Sequence, residues 1–420
     1  MKADTIDRRR IYEPNPRPEW VARINTEGRT LGDGLVPLDE QSLLEEASRS
    51  TGLSDFGDGS WRTHLRVLLR AIEDEGNLNL LGRLLTRADF LMYLRARLQI
   101  VDWYRRHPEI DDEQIRQPVF IVGLPRSGTT ILHETLGEDP QFRMVKKWEA
   151  LFPCPPPEEA TYLSDERIQR AHDFITIQDR IAPEWQSMHA VGGELPVECI
   201  EFTTACFLSE MFTASFNVPS YQKHLYSQDI AEMYRWHHKV LKLLQWRFKR
   251  PHWLMKGCNH EPYIPQLLAE YPDARIIFTH RDPIKSVSSV VSVQGTIFRF
   301  RTDSTFSDSY ENWLRLDMVA AMLEKRIGWI EDGTLPKGQF ANLRFSEFSD
   351  RPIDALKQLY DDLGLTWTGT AQSKIAAYLA RKPKGVFGAH RYATGDQRAV
   401  RSERALFKRY QDYFGVPDEV

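Results

Sequence analysis

Residues 118–136 constrain the fold of this chain more than any other segment. The run PVFIVG at 118–123 is apolar and mostly β-branched or aromatic, which predicts a buried strand. A loop rich in Gly, Pro and hydroxyl residues follows, and then a helix is predicted over 129–136, which the Asp139-Pro140 pair terminates. A buried strand, a glycine-containing loop and a helix, in that order, are typical of α/β proteins with a parallel sheet.

Further signals extend this unit along the chain. Short apolar runs predict three more strands, at 253–256, 274–279 and 340–345. Helices are predicted between and after them, at 263–271, 284–293 and 353–363. Strands that alternate with helices imply a parallel sheet flanked by helices, so we expect an α/β domain over 117–420. Its residues at about 158–249 are predominantly helical and form a predicted insertion.

The first 116 residues have a different pattern. Residues 1–35 are rich in Arg, Pro and Gly and are predicted to form an irregular arm. Apolar side chains then recur at helical spacing in three segments, at 39–48, 61–75 and 79–106. Asp39 is the expected N-cap of the first. We therefore predict an arm and an all-α region over 1–116, with a packing role.

Composition excludes several classes of protein. With 55 Lys plus Arg against 59 Asp plus Glu, the formal net charge is −4, which argues against a protein that coats nucleic acid. The four cysteines form no CxxC pair, so neither a disulfide framework nor a zinc site built on them is expected. Charges at the N-terminus argue against a signal peptide, and no apolar run approaches the ~18 residues of a membrane helix. We expect a soluble, cytoplasmic protein without a metal.

The loop GLPRSGTT at 123–130 has the composition of an anion site. Its glycines allow backbone amides to turn inward, and the following helix adds positive partial charge. The residues expected to contact the anion are Arg126, Ser127, Gly128, Thr129 and Thr130. The loop is not a Walker A motif, because Thr129 stands where that motif has its lysine and the cation is Arg126. This favours a smaller anion than the triphosphate of a nucleotide.

A second anion site is predicted after the strand at 274–279. Arg281 follows that strand, and Asp282 and Pro283 fit the N-cap and first position of the next helix. Ser289 lies about two turns into the helix, so an arginine and a hydroxyl are available for a phosphate. Two anion sites on neighbouring strands suit a nucleotide with a phosphate group at each end.

These two motifs resemble the signatures of sulfotransferases that use 3′-phosphoadenosine-5′-phosphosulfate. The resemblance runs over about 117–395, is closest to the broad bacterial branch, and includes NLRF at 342–345 and HRY at 390–392. It implies a P-loop-like α/β fold whose first loop binds the 5′-phosphosulfate. It also implies that Arg281 and Ser289 bind the 3′-phosphate, with 3′,5′-diphosphoadenosine as the product. Arg381 and Lys384 match, less closely, a basic loop that the family lays over the 3′-phosphate.

Sulfuryl transfer is an in-line displacement that needs stabilisation of the leaving oxygen and a base for the acceptor. Arg126 and Lys256, which ends a predicted strand, are the candidates for charge stabilisation. The base has two candidates. His260 lies four residues after Lys256, whereas the cytosolic members place a histidine two residues after their lysine, where this chain has Cys258. Glu149 has apolar neighbours that would raise its pKa, and we prefer it slightly to His260.

Aromatic residues spread through 161–248 favour a hydrophobic small-molecule acceptor with a hydroxyl or amine group. Two other functions stay open at this point. One is a small-molecule kinase of the P-loop type, and the other is a nucleotide-binding relative without catalytic activity. The sequence does not identify the acceptor or the oligomeric state.

Overall fold

Five parallel strands lie at the centre of the fold. They are β1 Val119–Gly123, β2 Phe142–Arg143, β3 His252–Lys256, β4 Arg275–His280 and β5 Phe340–Arg344. The computed structural model describes residues 7–31, 33–306, 315–382, 394–395 and 397–420. Within these residues the strand order is β2-β3-β1-β4-β5, and every neighbouring pair is parallel. The predicted α/β class with a parallel sheet is therefore confirmed.

The helices of the described residues run from α1 to α21. The first eleven are α1 Glu19–Gly28, α2 Glu40–Thr51, α3 Trp61–Glu75, α4 Leu80–Arg106, α5 Thr129–Leu136, α6 Lys147–Leu151, α7 Arg167–Ile175, α8 Ile177–Ile181, α9 Trp185–Met188, α10 Cys199–Phe202 and α11 Glu210–Ser215. The others are α12 Pro219–Ser227, α13 Ala231–Gln245, α14 Ile264–Glu270, α15 Pro283–Arg299, α16 Leu316–Glu331, α17 Phe345–Asp350, α18 Pro352–Leu363, α19 Gly369–Arg381, α20 Gln397–Arg404 and α21 Lys408–Phe414. None of those described is both long and apolar enough to span a membrane.

Helices pack on both faces of the central strand, which explains why its sequence is continuously apolar. Phe120 and Val122 lie in one hydrophobic cluster with residues of α2, α3 and α4, such as Leu65. Val119 and Ile121 lie in a second cluster with residues of α5 and α18. The N-terminal helices thus share a core with the sheet. The boundary between 1–116 and 117–420 stays a prediction.

Most predicted elements are present, with two differences. The predicted strands correspond to β1, β3, β4 and β5, and Asp39 caps α2 by accepting a hydrogen bond from the backbone N–H of Ser42 at 2.8 Å. The expectation of an irregular arm over 1–35 was wrong in part, because α1 lies within it. Strand β2 was not predicted, since two residues are too few to show a pattern.

The strand register places the functional loops at one edge of the sheet. Gly123 of β1 pairs with Thr279 of β4, and Ile121 of β1 pairs with Lys256 of β3. The loop after β1, the end of β3 and the turn after β4 therefore meet at the carboxyl edge, where open α/β sheets bind ligands.

A buried ion pair lies beneath this edge. Arg326 of α16 and Glu261, in the 3₁₀ helix Cys258–Tyr263, are both fully enclosed. The guanidinium forms two hydrogen bonds to the carboxylate, one of them 2.8 Å from Nε to Oε1, and it also stacks on Phe278 at 4.4 Å. This pair attaches the segment that follows Lys256 to the helical layer.

Removing one partner of this pair leaves a buried charge without compensation. We expect Arg326→Met to lower the free energy of unfolding by about 3–5 kcal/mol. The double variant Arg326→Met/Glu261→Met should lose less, because neither charge then remains alone. Urea denaturation measures both, and a single variant that loses no more than the double variant would contradict this account.

Candidate active site

The loop between β1 and α5 is held in place by its own hydroxyl group and by close packing. Ser127 Oγ donates to the carbonyl of Leu124 at 2.6 Å and lies 2.7 Å from Thr279 Oγ1. This hydroxyl, which we expected to contact the anion, therefore bonds to the sheet and loop instead. Gly128 has φ +92°, and a Cβ there would come within 2.3 Å of the Phe345 ring, so this position requires glycine.

The start of α5 is open to an anion. Among the described residues no side chain caps the helix, so the first N–H groups, which have no partner within a helix, are available at this end. Thr129 and Thr130 form the first turn, and Thr130 is exposed. Lys256 Nζ lies 3.1 Å from Thr130 Oγ1. The lysine at the end of β3 thus reaches the rim of the loop.

Arg126 and Ser289 connect this loop to α15. Arg126 has φ +69°, a left-handed conformation that is uncommon for a residue with a side chain. Its guanidinium donates from Nη1 to the carbonyl of Met188 at 3.0 Å and from Nε to Ser289 Oγ at 3.2 Å. The hydroxyl predicted to belong to the second anion site therefore contacts the arginine of the first.

Arg281 lies on the same side of the sheet as Arg126. Its Nη1 donates to the backbone carbonyl of Arg126 at 3.1 Å, and its guanidinium stacks on Phe345 at 4.3 Å. Glu419 accepts hydrogen bonds from Arg281 Nε and Nη2, both at 2.9 Å, and from Lys285 Nζ at the same distance. The two predicted anion sites are therefore adjacent, and a carboxylate lies on the second.

Asp282 positions Arg281. Its Oδ1 accepts a hydrogen bond from the backbone N–H of Ile284 at 3.0 Å, and Pro283 occupies the first turn of α15, as predicted. Its Oδ2 accepts from the backbone N–H of Glu419 at 2.8 Å and from Arg404 Nη2 at 3.1 Å. The aspartate thus caps the helix and also holds residue 419 over the arginine.

Glu149 does not reach this site. Its side chain is fully buried, and its carboxylate accepts hydrogen bonds from Arg143 Nη2 at 2.5 Å, the backbone N–H of Lys146 at 2.8 Å and the Tyr162 hydroxyl at 2.9 Å. The Arg143 guanidinium in turn stacks on Phe248 at 4.5 Å. The geometry gives no support to our preference for Glu149 as base, because its oxygens are enclosed in a buried ion pair.

His260 is also directed into the protein interior. Its imidazole is fully buried, with Nδ1 2.9 Å from the Tyr234 hydroxyl and an edge-on contact to Phe120. Burial lowers the pKa of this imidazole to about 3. The structure therefore gives no support to His260 as the base, since its ring packs in the core beneath the site.

Glu198 is the carboxylate that the sequence reasoning missed. Its Oε1 lies 2.8 Å from Lys256 Nζ, and its side chain is 26% exposed. Burial would raise the pKa of this carboxyl, but the Lys256 ammonium outweighs that effect, so the pKa lies below its ordinary value. An isolated β-bridge between Lys146 and Pro196 delivers Glu198 to the rim. No spacing in the sequence indicates this contact, because it joins the helical insertion to β3.

A cleft of about 780 Å³ borders the segment that leads to this carboxylate, because its lining includes Leu195 and Pro196 but not Glu198 or Lys256. Its lining is mostly apolar near residues 190–196, and it also includes Met144, His189 and Lys146. Arg381 lines this cleft and forms an ion pair with Glu138 at 3.9 Å. The expectation that Arg381 contacts a 3′-phosphate is thus unsupported. Lys384 and residues 390–392 lie outside the described residues.

Comparisons with known proteins agree with this geometry. The model of a family described as the sulfotransferase family matches residues 118–369, more than half of the chain. The omega-hydroxy-beta-dihydromenaquinone-9 sulfotransferases Stf3 of Mycobacterium bovis and Mycobacterium tuberculosis are each 24% identical over 281 residues, or 63% of this chain. The chain spans 66%, just under two thirds, of the length of these relatives.

Two solved structures have a similar fold. Sulfotransferase STF1 from Mycobacterium tuberculosis is 25% identical, with a TM-score of 0.75 over 90% of this chain and 99% of that one. Sulfotransferase STF9 from Mycobacterium avium is 22% identical, also with a TM-score of 0.75, over 91% of this chain and 98% of that one. The parallel sheet and its flanking helices are thus shared over nearly the whole chain.

The burial of Glu149 leads to a prediction about stability. We expect Glu149→Gln to lower the free energy of unfolding by about 1–3 kcal/mol, because Arg143 loses its buried counter-charge. Urea denaturation measures the loss, and the exposed Glu194→Gln serves as the control. If the variant keeps its stability but loses turnover, Glu149 would be the base after all.

Proposed function

Because this chain belongs to the sulfotransferase family, we propose that it is a sulfotransferase whose donor is 3′-phosphoadenosine-5′-phosphosulfate and whose acceptor is a hydrophobic small molecule. The observation that carries the donor proposal is the contact between the two anion sites. Arg281 donates to the backbone carbonyl of Arg126, and Arg126 donates to Ser289 Oγ. A donor with a phosphosulfate at one end and a phosphate at the other requires two such sites side by side.

In this proposal the donor spans the carboxyl edge of the sheet. The N–H groups at the start of α5, with Thr129 and Thr130, bind the 5′-phosphosulfate, since a helix N-terminus favours an anion. Arg281 and Ser289 bind the 3′-phosphate, for which the arginine must exchange Glu419 for the phosphate. Planar guanidinium groups suit this exchange, because carboxylate and phosphate present similar paired oxygens.

The transfer step follows from the positions of Lys256 and Glu198. The acceptor oxygen forms a bond to sulfur while the bond between sulfur and the 5′-phosphate oxygen breaks. Lys256, which already contacts the phosphate loop through Thr130, stabilises the negative charge that develops on the leaving oxygen. The acceptor's proton passes to the Glu198 carboxylate, 2.8 Å from that lysine. This transfer requires no reactant besides the donor and the acceptor.

The cleft that Leu195 and Pro196 line, next to the segment carrying Glu198, supports an acceptor with an apolar part. Val191 and Met144 add to its apolar surface, while charged and polar side chains, among them Glu134, Glu194, Lys146 and His189, line the rest. The Stf3 relatives are named for the sulfation of a hydroxylated dihydromenaquinone. We therefore propose that the acceptor is a hydrophobic molecule with a hydroxyl group. The walls would bind its apolar part and Glu198 its hydroxyl.

The donor proposal predicts the effect of removing Arg281. We expect Arg281→Ala to raise the Kd for 3′,5′-diphosphoadenosine about 10- to 100-fold, because a charge-assisted hydrogen bond is lost. Isothermal titration calorimetry measures this. Arg275→Ala is the matched control, since Arg275 begins β4 and Arg281 follows the opposite end of that strand. Binding of Mg-ATP without binding of the diphosphonucleotide would instead indicate a kinase.

The base proposal predicts a loss of turnover with retained donor binding. We expect Glu198→Gln to lower kcat about 10²- to 10⁴-fold, measured with the best acceptor from a screen of phenols and hydrophobic alcohols. Glu166→Gln, which changes an exposed carboxylate that does not line the cleft, should leave kcat nearly unchanged.

The pH profile provides a second readout for the same base. Because the pKa of Glu198 is lowered, its carboxylate stays ionised, and wild-type kcat should be flat as pH falls through about 6.5. The rate should decline only when the pH falls below about 4.3, the ordinary pKa of a glutamate side chain. A decline centred near about 6.5 would indicate a histidine base instead.

A further inference from the structure

Three potential metal ligands converge in the core beneath the site. They are Cys199 at the start of α10, His237 in α13 and His260 in the 3₁₀ helix after β3. All three side chains are buried, with at most 1% of each exposed. One ligand atom from each, the cysteine sulfur and a nitrogen of each imidazole, lies within 4.8 Å of the other two. They come from segments far apart in the chain, so the fold itself assembles them.

Both imidazoles have one nitrogen bonded and one left over. His237 Nδ1 lies 2.7 Å from the Tyr271 hydroxyl, and His260 Nδ1 lies 2.9 Å from the Tyr234 hydroxyl. The Nε2 atom of each ring is enclosed and has no hydrogen-bond partner among the described residues. Buried polar atoms are nearly always paired, so two unpartnered nitrogens in one cluster need an explanation. Metal-binding histidines typically have one nitrogen on the metal and the other on a hydrogen-bonding partner.

A fourth donor lies beside His260. Asn259 Oδ1 is also buried and has no hydrogen-bond partner among the described residues. A Cβ placed on Gly257 would come within 2.4 Å of this oxygen and 3.1 Å of His260 Nε2, so both atoms border the same point above the glycine. The side chains therefore offer one sulfur, two nitrogens and one oxygen.

Although the spacing of the cysteines in the sequence predicted no zinc site, we propose that Cys199, His237 and His260, with Asn259 Oδ1 as fourth ligand, bind a structural Zn²⁺ ion. Sulfur and imidazole nitrogen are the ligands that zinc prefers, and a closed set of four is typical of structural sites. Tetrahedral ligands at about 2.0–2.3 Å from zinc are roughly 3.3–3.8 Å apart, so the three atoms, which lie within 4.8 Å of one another, need to approach by about 1.5 Å at most.

This ion would position the reacting groups without taking part in the transfer. Cys199 directly follows Glu198, and His260 lies four residues after Lys256. A bond from one metal to both segments would hold the carboxylate and the lysine, which are 2.8 Å apart, in a constant relation. The zinc site does not depend on the identity of donor or acceptor.

Metal content of the full chain tests the proposal. The protein is treated with chelator, incubated with ZnSO₄, desalted and analysed by mass spectrometry for metals. We expect one zinc per chain and a higher melting temperature than in the chelator-treated protein. We expect Cys199→Ala and His237→Gln to lose the zinc. Cys206→Ala and His133→Gln, which change buried residues outside the cluster, should keep it. Folded wild-type protein that retains no zinc, or cluster variants that retain it, would overturn the proposal.

Cobalt binding to the wild-type protein tests the site even if the variants do not fold. Co²⁺ added to the chelator-treated wild-type protein should give an absorption band from thiolate-to-cobalt charge transfer, because Cys199 supplies the sulfur. Zinc should abolish this band by displacing cobalt. Absence of the band in folded protein would also overturn the proposal, and the interior would then be a cluster of neutral side chains.

Discussion

The parallel pairing of β1 with β3 and β4 is the constraint on which the site depends. In parallel strands all carboxyl ends lie at one edge, so three loops from distant parts of the chain must meet there. The register joins Gly123 to Thr279 and Ile121 to Lys256. As a result the loop after β1, Lys256 and Arg281 surround one region. Helices on both faces stabilise this sheet, because every residue of β1 is apolar or glycine and is buried.

The sequence predicted those features whose pattern lies within one short segment of the chain. Strand β1, its loop and the Arg281 turn each lie within a short segment, where apolar runs, glycine and capping residues have direct structural meaning. The apolar neighbours of Glu149 indicated a dry pocket, but they did not indicate that Arg143 would be its buried partner. Glu198 could not be found, since its contact with Lys256 joins two segments that only the folded sheet brings together.

A buried ion pair and a buried hydrogen bond beneath the carboxyl edge of the sheet hold the site residues in place. The segment after Lys256 is held by the Glu261–Arg326 pair and by the hydrogen bond between His260 and Tyr234. Buried polar groups without hydrogen-bond partners would destabilise the core, so the partners of these side chains must be positioned accurately. The residues that follow the lysine in sequence thus contribute to fixing its location.

The ion pair between Arg281 and Glu419 also influences how any anion enters the second site. In the free protein one of the two positive charges of Arg281 and Lys285 is already balanced by the Glu419 carboxylate. An incoming phosphate therefore replaces one anion with another instead of meeting a bare cation. Long-range attraction towards this edge is correspondingly reduced, and the dependence of association on ionic strength should be shallower than the number of arginines suggests.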